Sequence, residues 1–344
     1  MSDTASLLQT ISTIIVSLIV IALPLIVVGY AGMTAERSGI INLGLEGMMV
    51  IGAFVGFVFL KIFDENNFGD NQPVLACLIA AIASMVAGFI MSLLLSAAAI
   101  KLKANQVIIG TAINILAPAL LILIAWSIWG NGGEKIATPS WILLGHDNLI
   151  SANSLPTSPT GLDYTKYFLS QLLFSNLYIT TPLIILILIF IGVFLYKTKT
   201  GLHLRACGEN PAAADSVGIN VAKMRFLGTS ISGALAGIGG FALCLYIGFN
   251  GTVIGFGFLA LAVMIFGAWK PVPMVFAGIV FAFFRVIAYT GILPEISING
   301  QVLSHGVYLY YCIPYLITLI ILVFGSKRSR APKAEGIPYD KSAR

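Results

Sequence analysis

Long apolar runs alternate with short polar ones along the chain. They fall at about 11–31, 40–61, 74–99, 105–129, 179–196, 226–247, 255–269, 272–290 and 307–324. Most approach the ~20 residues that carry a helix across a hydrocarbon core. Period-two alternation is absent, which argues against a membrane β-barrel and for helices that satisfy their own backbone groups. The pattern predicts an all-α polytopic membrane protein of about nine crossing segments. Two of the runs are rich in glycine. Gly39–Gly56 (GIINLGLEGMMVIGAFVG) holds Asn42 and Glu46 among its glycines, and Gly248–Gly267 is similarly dense. Paired glycine-interrupted segments point to broken helices around a mid-membrane pathway. Close helix packing is the other reading of the same residues.

Charge adds sidedness. Of 344 residues, 58% are hydrophobic and 10% charged, and the mean hydropathy is +0.97. The net charge of +5 does not form a nucleic-acid face, because the basic residues sit in connections between runs. Fifteen of the 19 lysines and arginines lie on one side if the C-terminus is cytoplasmic, while Lys61, Lys135 and Lys166 share the other with seven acidic residues. The positive-inside rule then places the N-terminus outside and the C-terminus in the cytoplasm. The first run has no basic n-region or cleavage site and is expected to be a retained span. One transmembrane domain, 1–325, is expected, with a long outer loop at 130–178 and a cytoplasmic loop at 197–225. A disordered cytoplasmic tail is expected over 326–344. In the outer loop, Trp129, Trp141, Tyr164 and Tyr167 suit a headgroup interface, and a short helix lying on the membrane is predicted around 163–175.

Candidate chemistry is sparse. No Walker A motif occurs, the three histidines are scattered, and no cysteine pair has metal-ligand spacing. No catalytic residue, metal or cofactor is expected. Three membrane-depth polar residues are pathway candidates: Asn42, Glu46 and Asn114. A carboxylate at Glu46 is expensive unless it braces backbone or bonds a neighbouring helix. A helix starting at Gly39 would put it about 10 Å deep. Arg285 would then lie nearer the outer face and snorkel there, so a Glu46–Arg285 pair is disfavoured unless the second run is broken.

The longest basic insert is Gly201–Val221, GLHLRACGENPAAADSVGINV. Asn210 suits an N-cap and Pro211 a first helical position, while Gly218 suits the stop of a two-turn helix over 211–217. Its flat face, Ala212 to Ala214, fits a groove on a soluble partner. Lys199, Arg205, Lys223 and Arg225 flank it. A plain topology-setting loop explains the charge but not the capped helix.

Gly201–Ile219 resembles the cytoplasmic coupling segment of ATP-binding cassette importer permeases of the branched-chain amino acid, ribose and nucleoside group. Their pattern is GLRxRAxGENPxAAxxxGI, from which only His203 departs. The stretches at 36–54 (ERSGIINLGLEGMMVIGAF), 101–117 and 256–273 match the same family in order, the first in its nucleoside-type form. The resemblance covers about 30–325. It implies a type II-like permease that has no ATPase site of its own, ATP being bound by a partner. The implied coupling residues are Glu209, Asn210, Pro211, Ala212, Ala213, Ala214, Asp215 and Gly218. The implied partners are a second homologous permease subunit, a cytoplasmic ATPase and an extracellular substrate-binding lipoprotein, in a bacterial plasma membrane. The implied cargo is a nucleoside; a sugar, riboflavin or an amino acid in the same kind of importer is the alternative. A self-contained carrier or channel is the competing class.

Overall fold

A computed structural model describes residues 3–130, 136–144, 177–289 and 331–340, with 163, 165, 168, 169, 297, 298, 301, 302, 312, 313, 315 and 316. The expected surface helix at 163–175 and the ninth run at 307–324 fall for the most part outside these residues.

The described chain is almost wholly helical. In order come α1 (Asp3–Arg37), α2 (Leu45–Glu65), α3 (Phe68–Asn71), α4 (Pro73–Ser96), α5 (Gln106–Trp129) and α6 (Thr180–Lys197). Then follow α7 (Lys199–Glu209), α8 (Pro211–Ser216), α9 (Val221–Ile247), α10 (Phe256–Phe266) and α11 (Pro271–Tyr289). Six of them, α1, α2, α4, α5, α6 and α9, are long and apolar enough to cross a membrane.

The centre is a backbone-to-backbone crossing of α2, α4 and α9. A Cβ on Gly237 would lie 2.2 Å from the Ser84 carbonyl oxygen, and one on Gly52 would lie 2.3 Å from the Gly237 Cα. Small residues let the helices meet where lipid gives no hydrophobic drive for association. Around this crossing, α1 packs between α9 and the α10–α11 pair.

Both glycine-rich runs are broken. Residues 38–44 leave the helix after α1, with Ile40 and Asn42 fully buried, so the second run is a non-helical segment followed by α2. The run at 255–269 is corrected more sharply. At 11 residues, α10 is only about 16 Å long, too short for a bilayer core of about 30 Å. Residues 248–255 connect α9 to α10, turned by positive φ angles at Gly248, Gly251, Ile254 and Gly255.

Two other expectations fail. Trp141 is buried, not interfacial. Its indole N–H donates to Asp64 Oδ1 at 2.9 Å, and its ring fills the space that a side chain on Gly69 would need. The described part of the tail, 331–340, is docked rather than disordered. Ala334 N donates to Gly208 O at 2.9 Å and Gly336 N to Gly39 O at 3.2 Å. Arg225 Nη1 donates to Ile337 O at 2.9 Å, and Lys103 pairs with Asp340. Composition misses this because a few directional bonds, with turns set by Pro332 and Gly336, hold a segment that has little apolar area to bury.

Candidate functional site

The polar residues at membrane depth converge on the two breaks. Asn42 Nδ2 donates to Ser232 Oγ at 2.8 Å, and its Oδ1 accepts from Gly44 N at 3.0 Å. Asn114 Oδ1 accepts from Gly47 N and its Nδ2 donates to Leu43 O, both at 2.8 Å. Gln106 Oε1 accepts from Ile41 N at 2.7 Å. Together they satisfy backbone groups that the missing helical turns leave open, the condition for non-helical backbone inside a membrane.

Glu46 does the same for the second break. Its Oε1 accepts from Gly255 N at 2.8 Å and its Oε2 from Gly257 N at 2.6 Å. These amides belong to the N-terminus of α10, where unpaired N–H groups and the helix dipole favour a carboxylate. The fit is close: a side chain on Gly257 would run into the Glu46 backbone. Glu46 meets the inner end of the 248–255 loop, a helix length of about 16 Å from the turn at Trp269. Arg285 is corrected: it is buried, with its guanidinium carbon 4.9 Å from the centre of the Phe256 ring, not snorkelling to a surface.

At the cation-rich end, α8 forms as the sequence specifies. Asn210 Oδ1 accepts from Ala213 N at 3.1 Å, Pro211 opens the helix, and Gly218 follows it with φ +85°. Ile219 N then closes back on Ala214 O at 3.0 Å. The alanine face needs revision. Ala214 is buried against Cys207 and Val221, so the outward face is Ala212, Ala213 and Val217, the last 75% exposed. Glu209 is the last residue of α7, and Asp215 is half-buried. Cys207 lies at this joint, and burial pushes its thiol up to about 11.

Sequence reasoning missed α7 and what lies behind it. Thr198 Oγ1 caps α7 by accepting from Gly201 N at 3.1 Å, a cap signal the chain did carry. Gly208 sits so close to α1 that a Cβ would lie 2.3 Å from Arg37 O. Arg37 donates from Nη2 at 2.9 Å and from Nε at 3.3 Å to the Trp269 carbonyl, which also accepts from Tyr196 Oη at 3.1 Å. The same guanidinium reaches Glu209 Oε1 at 3.4 Å. Glu36 Oε2 accepts from the Trp269 indole at 2.6 Å. Ala268 and Trp269 have φ of 50° and 53°, a left-handed turn costing about 1–3 kcal/mol per residue unless its surroundings hold it.

Residues 10–322 match the family described as branched-chain amino acid transport system / permease component. The chain belongs to this permease family. It is 35% identical to the guanosine ABC transporter permease protein NupQ of Bacillus subtilis, over 98% of this chain and 99% of that protein. It is 32% identical to the nucleoside ABC transporter permease protein NupC of Lactococcus lactis, over 98% and 99%. With NupB of the same organism, also a nucleoside ABC transporter permease protein, identity is 24% over 91% and 83%. No solved structure matches the chain. Membership accounts for a bundle of membrane-crossing helices, and the all-α polytopic fold is as expected.

Proposed function

We propose that this permease forms the translocation subunit of an ATP-driven nucleoside importer. The observation that carries the reading is α8. It is a fully capped helix, held by its buried Ala214, that presents Ala212, Ala213 and Val217 outward at the cation-rich end of the bundle. A small, apolar, rigid face is what a groove on a soluble protein can grip with little entropy loss. That protein is the ATPase, because the chain lacks a Walker A motif and energy must enter from elsewhere. The cation-rich end is then cytoplasmic, with the N-terminus outside and the C-terminus inside.

The cargo reading rests on two supports. The relatives with near-complete coverage bear guanosine and nucleoside names. In addition, the α10 N-terminus, where a half-helix in a transporter can take an anionic substrate group, is already filled by Glu46. A pathway whose helix dipole is answered internally suits an uncharged solute. That one organism has two nucleoside permeases matching this chain at 32% and 24% supports pairing with a second, different permease. A binding lipoprotein delivers the nucleoside from outside to the 130–178 loop.

The test is uptake of labelled guanosine in cells lacking this chain and complemented with it, competed by a panel of nucleosides, a sugar, riboflavin and leucine. Competition by nucleosides alone is expected. Competition by leucine or sugar but not nucleosides overturns the cargo. Transport by the purified chain in vesicles without an ATPase would overturn the class.

A further inference from the structure

The helix α10 is held at both ends by the two residues that flank the first break. At its N-terminus Glu46, from the first turn of α2, accepts from Gly255 N and Gly257 N. Just beyond its C-terminus Arg37, the last residue of α1, donates twice to the Trp269 carbonyl. The same guanidinium reaches Glu209, the residue before the cap of α8. We infer that Arg37 is a positioning residue that carries movement of α8 to α10, and through α10 to the Glu46 brace at membrane depth. The inference rests on the importer reading above.

Three features make the contact a switch rather than a staple. The Arg37–Glu209 contact is long, 3.4 Å, with the Glu209 side chain 49% exposed. Such a pair is weak on its own, so displacement of α8 reaches Arg37 chiefly through the backbone contact of Gly208 with the Arg37 carbonyl. Behind it the two bonds to the Trp269 carbonyl, at 2.9 and 3.3 Å, are partly buried and share one acceptor, so a shift of Arg37 is passed on to Trp269. The receiving turn has two non-glycine residues with left-handed φ, Ala268 and Trp269. It keeps that conformation because Arg37, Tyr196 and Glu36 converge on Trp269. Removing one of these holders biases the turn toward another conformation, the kind of two-state element that transmission requires. Between the turn and Glu46, α10 is a single unbroken helix. The route is also sterically direct. Gly208, next to Glu209, lies against the Arg37 carbonyl with no room for a side chain, so movement of α7 toward α1 bears directly on the Arg37 backbone.

The test uses the assembled importer in proteoliposomes, with the second permease and the ATPase present, and reads solute uptake and ATP hydrolysis together. Arg37→Ala is expected to leave assembly and hydrolysis near wild type while uptake per ATP falls about tenfold. Arg37→Lys, which keeps charge but not the forked donors, is expected to fall between. Glu209→Gln, which leaves the Trp269 bonds in place, is expected to show a smaller loss of the same kind. An unchanged ratio of uptake to hydrolysis in Arg37→Ala, or an equal fall of both with assembly intact, overturns the relay. If Arg37→Ala does not accumulate, Glu209→Gln and Tyr196→Phe decide it by the same ratio, and wild-type ratios in both overturn it. The relay is scored on whichever solute the wild-type complex carries. A wild-type complex that binds no ATPase contradicts the importer reading instead.

Discussion

The membrane-depth breaks and the α7–α8 segment use polar residues in opposite ways. At the breaks, Asn42, Glu46, Gln106 and Asn114 all turn inward and bind backbone N–H or C=O groups. The bonded partners are the backbone groups that the breaks leave open. At α8 the backbone is closed by caps, and the small residues Ala212 and Ala213 face outward. The first region is a closed structural site built from polar side chains. The second is an open surface on which small and apolar residues, with Ser216, face outward. Polarity therefore marks fold integrity within this bundle, and the interaction surface is marked by its lack.

The comparison breaks most easily at the crossing that supports the first region. Gly237→Val puts a branched side chain where a Cβ already meets Ser84 O at 2.2 Å. The protein is expected to be lost from membranes, as a Western blot of membrane fractions would read. Asn114→Ala keeps the helices but orphans Gly47 N and Leu43 O, at about 1–3 kcal/mol for each group. A lowered Tm in detergent is expected, and an unchanged Tm would mean that water or lipid replaces the side chain. Asn210→Ala removes the α8 cap, at about 1 kcal/mol. It should leave Tm near wild type and reduce uptake, which sharpens the contrast between a stability site and a contact site.

The smallest effect expected is at the docked tail. Burial holds the Glu335 carboxyl above its ordinary value of 4.5. The docked tail thus keeps its proton to higher pH than a released one. Docking is fully favoured below 4.5 and loses that favour as pH rises through the raised value. Protection of the Ala334 and Gly336 amides, with exchange taken relative to the free-peptide rate at each pH, should fall over that window in the wild type. In Glu335→Gln the fall should be smaller.

The sequence made the helices legible because apolar runs of bilayer length leave one economical structure. It made α8 legible because Asn210, Pro211 and Gly218 are local signals that act through their own neighbours. Glu46 was legible as an expensive residue needing a partner, yet its partner, the α10 N-terminus, lies 209 positions away and follows only from packing. Arg37 was read as one more topology charge within the 36–54 stretch, since nothing nearby in the chain announces a bond to Trp269. The tail and Trp141 were misread for a related reason. Composition describes an average environment, and each of them is placed by specific partners.

The central claim, that energy enters through the outward face of α8, is tested most directly at Ala213. Ala213→Glu places a charge at the middle of that face without touching the bundle. Membrane level and Tm should match wild type, the ATPase should no longer co-purify, and nucleoside uptake should be lost. Co-purification and uptake both unchanged would contradict the account.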